Sequence, residues 1–130
     1  LNDPFTAIAV LDRFGAALCE LATRDLPDGR FCHEGALRLQ RPATDYAGLV
    51  DAMFHMIRQD GAASPPVMIR LLEVLAAAGA VERDAARRAS LHRHATLAGE
   101  AALAATNDRA ARGDLAARLR KVERVLAAAG

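Results

Sequence analysis

The segment LNDPFTAIAVLDRFGAAL sets five polar side chains, Asn2, Asp3, Thr6, Asp12 and Arg13, into an otherwise apolar run. Asn, Asp and Thr at a helix start can accept hydrogen bonds from the free amides of the first turn. Pro4 at the first helical position loses nothing, because its missing N–H would have no partner there. Asp12 and Arg13 pose a different problem, since a charge is costly to bury unless it is paired. Successive helix residues diverge by about 100°, so each of the two needs its own partner or a path to water. Together the five residues fit a structural lock, an interface or a ligand site, and the sequence leaves all three open.

The other residues that could do chemistry are sparse. The histidines are His33, His55, His92 and His94. Asp51 and His55 are four apart and share a helix face, so they join the candidate site residues. They could supply two metal ligands, where a zinc site needs three or four. His92 and His94 point to nearly opposite sides of a helix, and no Glu-x-x-His pair of the di-iron type is present. Cys32 and His33 are neighbours in an extended stretch and face opposite ways. Ser64 and Ser90 lack a nucleophile elbow, and no Gly-rich phosphate loop occurs. No metal, cofactor or catalytic residue is therefore expected.

Helices must position these groups. Phe5, Ile8, Leu11, Leu18 and Leu21 mark one face of a first helix from Pro4 to Thr23, widened by Val10, Phe14 and Ala17. A helix apolar nearly all round is a central one, so this segment is expected to be the axle of the fold. RFCHEGALRLQRP then alternates as a short hairpin, which should lie against the helices because an isolated hairpin is marginal. A second helix, Thr44 to Asp60 with Thr44 as cap, carries Tyr46, Leu49, Val50, Met53 and Ile57. A third starts at Ser64-Pro65, turns Met68, Leu71, Leu72 and Leu75 inward, and stops at Gly79. A fourth, Arg83 to Ala105, shows Leu91, Leu97 and Leu103. A fifth follows Asn107 or Asp108, with Leu115, Leu119, Val122 and Leu126 as a packing seam. The expectation is an all-α bundle of about five helices, one domain over residues 1–130, with one small β-hairpin after the first helix.

The composition agrees. A chain of 130 residues is the size of one domain, and 52% hydrophobic residues without Trp make a globular core of Leu, Val, Ile and Ala. Both cysteines, Cys19 and Cys32, are expected to be reduced thiols. Net charge is only +1, against the stronger basic excess of a nucleic-acid domain. A recognition helix would have to be built from Arg83, Arg87 and Arg88, so no nucleic-acid partner is expected. Charge is uneven: residues 1–60 hold 9 acidic and 6 basic groups, and residues 61–130 hold 7 and 11. The late arginines read as a solvated helical surface or as a contact for an acidic partner or lipid headgroups. No run reaches the roughly 18 apolar residues of a membrane span. The start at Leu rather than Met is expected of a piece of a longer protein.

Asn2, Asp3, Pro4, Thr6 and Ala7, followed by Asp12, Arg13, Phe14 and Gly15, carry a resemblance. They resemble the second half of a motif, Ser-Pro-Gly-Ile-Asn-Asp-Pro-x-Thr-Ala and then Asp-Arg-Leu/Phe-Gly, from a bacterial family of predicted integral membrane proteins of unknown function. LVDAMFHMIRQDGAASPPVMIRLLEVL and LHRHATL resemble later helices of that family. The resemblance implies a membrane-spanning part outside this chain, with this chain as the soluble C-terminal region. It brings no assigned activity, substrate or cofactor.

The resulting expectation is a non-enzymatic domain of an inner-membrane protein that self-associates or regulates the membrane part, its partners being that part and further copies of itself. The alternative is a small-ligand-binding or enzymatic domain using the polar cluster at the start of helix one, with Asp51 or His55. The two separate on whether those polar groups line a cavity or are consumed by capping and packing.

Overall fold

The computed structural model describes residues 3–128. Five helices and one hairpin follow in the order α1 (Pro4–Leu21), β1 (Arg30–His33), β2 (Ala36–Gln40), α2 (Tyr46–Gly61), α3 (Pro65–Val81), α4 (Ala85–Ala105) and α5 (Arg109–Ala127). The expected all-α bundle with a hairpin after helix one is the observed architecture.

The axle is α3, not α1. Its sequence, PPVMIRLLEVLAAAGAV, carries only Arg70 and Glu73 as charges, and Val67, Met68, Leu71, Leu72, Val74, Leu75, Ala76, Ala78 and Gly79 are buried. It packs on α1, α4 and α5 and touches α2 lightly. Burying each large aliphatic side chain contributes about 1.5–3 kcal/mol, so this helix is the main source of core free energy. By contrast α1 buries one narrow stripe, Ala7, Leu11, Gly15 and Leu18, while Phe5 is 84% exposed. Asp12, Arg13 and Glu20 take the rest of α1 to water, so an apolar-looking helix is a flanking one.

Caps set the boundaries. Asp3, Asp45, Asp84 and Asp108 each accept a first-turn amide at the starts of α1, α2, α4 and α5. The cap of α2 is thus Asp45, with Gly48 N–H at 2.8 Å, rather than Thr44. Ser64 is the cap residue of α3 but its side chain makes no capping bond.

Gly79 does not stop α3, which runs on to Val81. A Cβ at Gly79 would lie 2.6 Å from Leu126 Cδ2, and one at Gly99 equally close to Leu119 Cδ2. These two glycines let α3 and α4 approach α5. The inner face of α4 is mixed. Leu91 is buried, but Leu97 and Leu103 are half-buried, and the inner face is Arg88, Leu91, His94, Ala95, Ala98, Gly99 and Ala102. Leu91, Leu97 and Leu103 stand about 120° from one another around the helix, so they point to three different sides.

The hairpin stands away from the bundle. All nine strand residues are exposed, and among the described residues neither strand packs on a helix. Phe31 faces Leu39 and Cys32 faces Leu37, with a register shift between them. Glu34 and Gly35 close the turn with φ of 49° and 76°, the left-handed geometry of a tight hairpin turn. The expected packing of the hairpin on the helices is therefore absent.

Candidate functional site

Most of the opening polar cluster is occupied by local structure. Asp3 Oδ1 accepts from the amides of Phe5 at 3.0 Å and Thr6 at 3.2 Å, and Thr6 donates its hydroxyl to the other carboxylate oxygen. The Thr6 hydroxyl bond and the two amides hold the Asp3 carboxyl below its ordinary range. Asn2 lies outside the described residues. Asp12 is half exposed and accepts from Arg70 Nε of α3. Arg70 in turn donates to Glu73 at 3.0 Å, and Arg118 of α5 donates to Glu73 at 2.9 Å. Burial pushes Glu73 up, but the hydrogen bonds from Arg70 and Arg118 outweigh it and hold the carboxyl down. Asp12 is therefore an anchor in an ion-pair chain tying α1 to α3 and α5. The cleft beside it has a volume of about 210 Å3, below the roughly 300–1,000 Å3 of small-molecule pockets. Arg13 is exposed and makes no ion pair among the described residues.

Asp51 and His55 are not brought together. His55 is exposed, its Nδ1 3.4 Å from Arg58. The partner of Asp51 is His94 of α4, whose Nε2 lies 2.8 Å from Asp51 Oδ1, with Arg93 donating to the same oxygen. His94 is 1% exposed and its ring packs 6.0 Å from that of Phe54. Burial pushes the imidazole pKa below its ordinary value, although the bond to Asp51 opposes the shift. The His94 bond is also the main cause that lowers the Asp51 carboxyl. The geometry fits a neutral ring donating from Nε2. Its Nδ1 is buried with no partner, so a second proton there would have nothing to bond.

A second polar cluster escaped the sequence reading. Glu82 is 2% exposed, and its Oε1 accepts from the amides of Arg83 and Asp84 as α3 hands over to α4. Arg87 lies 3.8 Å from Glu82 Oε2, covers the ring of Tyr46 at 5.1 Å, and donates to the carbonyls of Leu21 and Arg24. Burial, then the charge of Glu82, pushes the Tyr46 phenol up to about 12. Tyr46 Oη and Glu82 Oε2 are both buried without a hydrogen bond. A cleft of about 570 Å3 opens beside Tyr46 and Arg87, edged by Asp25, Asp28 and Asp45.

Arg88, 6% exposed, donates to four carbonyls: Gly79 and Glu82 at the end of α3, Val125 and Leu126 at the end of α5. Helix C-termini carry partial negative charge and unpaired carbonyls, so one guanidinium closes two of them. In sequence Arg88 looked like one of several surface arginines. The signal was its position three residues before Leu91 and seven before Ala95, on the face continued by Ala98 and Ala102.

Among the described residues no group of three or more His, Cys, Asp or Glu is placed to hold a metal ion. Cys19 is half-buried and Cys32 exposed, both as free thiols.

A family model described as "Predicted membrane protein (DUF2254)" matches residues 1–77, which takes in α1, the hairpin, α2 and most of α3. The chain belongs to the DUF2254 family. The DUF2254 match includes the opening motif, Asp51 and His55, whereas Arg87, Arg88 and His94 lie beyond it. Uncharacterized proteins of Mycobacterium bovis and of Mycobacterium tuberculosis are 34% identical over 98 residues, 75% of this chain. The aligned stretch is 19% of the length of those relatives. No solved structure matches the chain. Among the described residues no helix is long and apolar enough to cross a membrane.

Proposed function

We propose that this chain is a soluble, water-facing helical region of an inner-membrane protein of the DUF2254 family, working without catalysis through self-association or by regulating the membrane part. One observation carries the reading. The described polar groups of the opening motif are spent on a helix cap and on an interhelical ion pair, except for exposed Arg13, and they line no cavity of ligand size. Exposed basic residues on α5, Arg109, Arg120, Lys121 and Arg124, offer a contact for an acidic surface of the membrane part.

Light scattering over a concentration series tests self-association, and growth in mass with concentration is expected. Co-purification with the membrane part supplied as a separate chain tests regulation, with R120E/K121E/R124E expected to weaken it. A strict monomer that also fails to co-purify would overturn the reading. Nucleic acid is outside it, so random duplex DNA at low salt should bind only weakly.

A second reading, a small-molecule site, is favoured by the Tyr46 hydroxyl, buried without a hydrogen bond beside the larger cleft. It moves the site from the start of α1 to the junction of α2 and α4. Its test is a thermal-shift screen in which any ligand-induced rise must vanish in Tyr46→Phe.

A further inference from the structure

The hairpin is the one element the bundle does not explain. A two-stranded ribbon is marginal in water by itself, and its outer edges offer unpaired backbone groups. Yet both strands are exposed along their whole length, and among the described residues they touch no helix. Of the six exposed large apolar residues among the described ones, three, Phe31, Leu37 and Leu39, are on this ribbon. Between and beside them stand Arg30, Arg38 and Arg41, against Glu34 at the turn and Asp28, whose carboxylate accepts from the Arg30 amide at the far end.

We propose that this ribbon is a docking surface for anionic lipid headgroups, pressing the paired Phe31 and Leu39 toward the acyl boundary while Arg30, Arg38 and Arg41 engage phosphates. Interfacial segments combine apolar side chains that enter the headgroup layer with basic ones that bind its charge. The guanidinium fork suits phosphate oxygens. Arg41 already lies 5.4 Å from the centre of the Phe31 ring, so charge and apolar surface are presented together. Glu34 sits at the turn, beside His33 at 3.9 Å. The turn is thus the least suitable part to meet an anionic surface, and the ribbon lies on its side, with the Phe31–Leu39 pair toward the lipid. A second copy is a poor occupant, because a two-fold contact would gather two sets of the same arginines into one patch.

The inference rests on the proposed function only for the nearness of a membrane, and its test contains no protein partner. The chain has no Trp, so Phe31→Trp places a single reporter on the ribbon. With vesicles containing phosphatidylglycerol, F31W should co-sediment and its emission should shift to the blue. With pure phosphatidylcholine vesicles neither should occur. Adding R30Q/R38Q/R41Q should lower partitioning on the order of 100-fold, and L39S, on the Phe31 face, should reduce the blue shift. Circular dichroism and thermal melting should be unchanged in every variant, since no helix packs there.

Three outcomes on vesicles overturn the proposal: co-sedimentation without a blue shift, which moves the contact to the basic helices; equal binding to neutral vesicles; and no binding at all. A dimer by light scattering that L37S/L39S dissolves would also overturn it, in favour of a second copy. Failure on vesicles leaves the co-purification result standing, and the reverse holds too, so the two readings fail separately.

Discussion

Arg88 takes a positive charge into the interior and balances it with carbonyl dipoles, and this fixes what its loss would do. Arg88→Met keeps an apolar stem but leaves four acceptors at two helix ends without a donor. The expected cost is about 3 kcal/mol, read as a lower urea midpoint at unchanged slope. Arg88→Lys should recover only a minor part, because an ammonium cannot fork between two helix ends. His94 gives a pH dependence of defined sign. Its folded pKa lies below the ordinary value of 6.5, so as pH falls through that value the unfolded chain takes up a proton that the fold refuses. Stability is then full above about pH 6.5 and declines below it, down to the folded pKa. Asp51 has a depressed folded pKa and adds a loss only at more acid pH, below its ordinary 3.8. Urea midpoints measured from pH 7.5 to 5 should fall in the wild type and flatten in His94→Gln. An equal slope in both would assign the effect to another group.

Among the elements, helix spacing turns on side chains that are not there. At Gly79 an added methyl would meet Leu126, which is buried, whereas at Gly99 it would meet Leu119, which is half exposed and can swing aside. Gly79→Ala should therefore destabilise by about 1–2 kcal/mol, in line with overpacking, and Gly99→Ala by less. Gly113, inside α5 with nothing near its missing Cβ, should do the opposite: Gly113→Ala should stabilise by about 0.5–1 kcal/mol. Melting temperatures of the three variants check the order. The same positions show what the sequence could reveal. Helix number, order and most starts were legible, because Asp caps, proline and apolar periodicity are local signals. Gly79 was misread as a stop because a glycine for close approach and one for termination look alike until the neighbouring helix is known. Asp51 was matched to His55 by helix spacing, while its partner, His94, lies 43 residues away. Asp12 likewise finds Arg70 at a distance of 58. Pairing across helices depends on packing, and so does the choice of axle: α1 and α3 each hold four alanines and three leucines, so composition could not rank them.

For the molecule as a whole, stability and outward contact reside in different parts. The core is one continuous apolar cluster drawn from all five helices, and no strand residue belongs to it. The ribbon is held by its own cross-strand bonds and by the Arg41 amide on the Gly29 carbonyl. Replacing residues 30–40 with a short Gly-Ser turn should change the unfolding free energy by no more than about 0.5 kcal/mol, the range of substitutions remote from buried features. A loss of several kcal/mol in urea would show that the ribbon braces the bundle after all. Hydrogen exchange gives the complementary measurement. The amides of β1 and β2 should exchange through local opening, far faster than those of α3, which open only with the whole core. If the ribbon rests on lipid, anionic vesicles should slow β1 and β2 while leaving α3 unchanged, because the added contacts stabilise only what the bundle leaves uncovered. Uniform slowing across all helices would instead indicate binding coupled to the global fold, and would place the contact on α4 and α5.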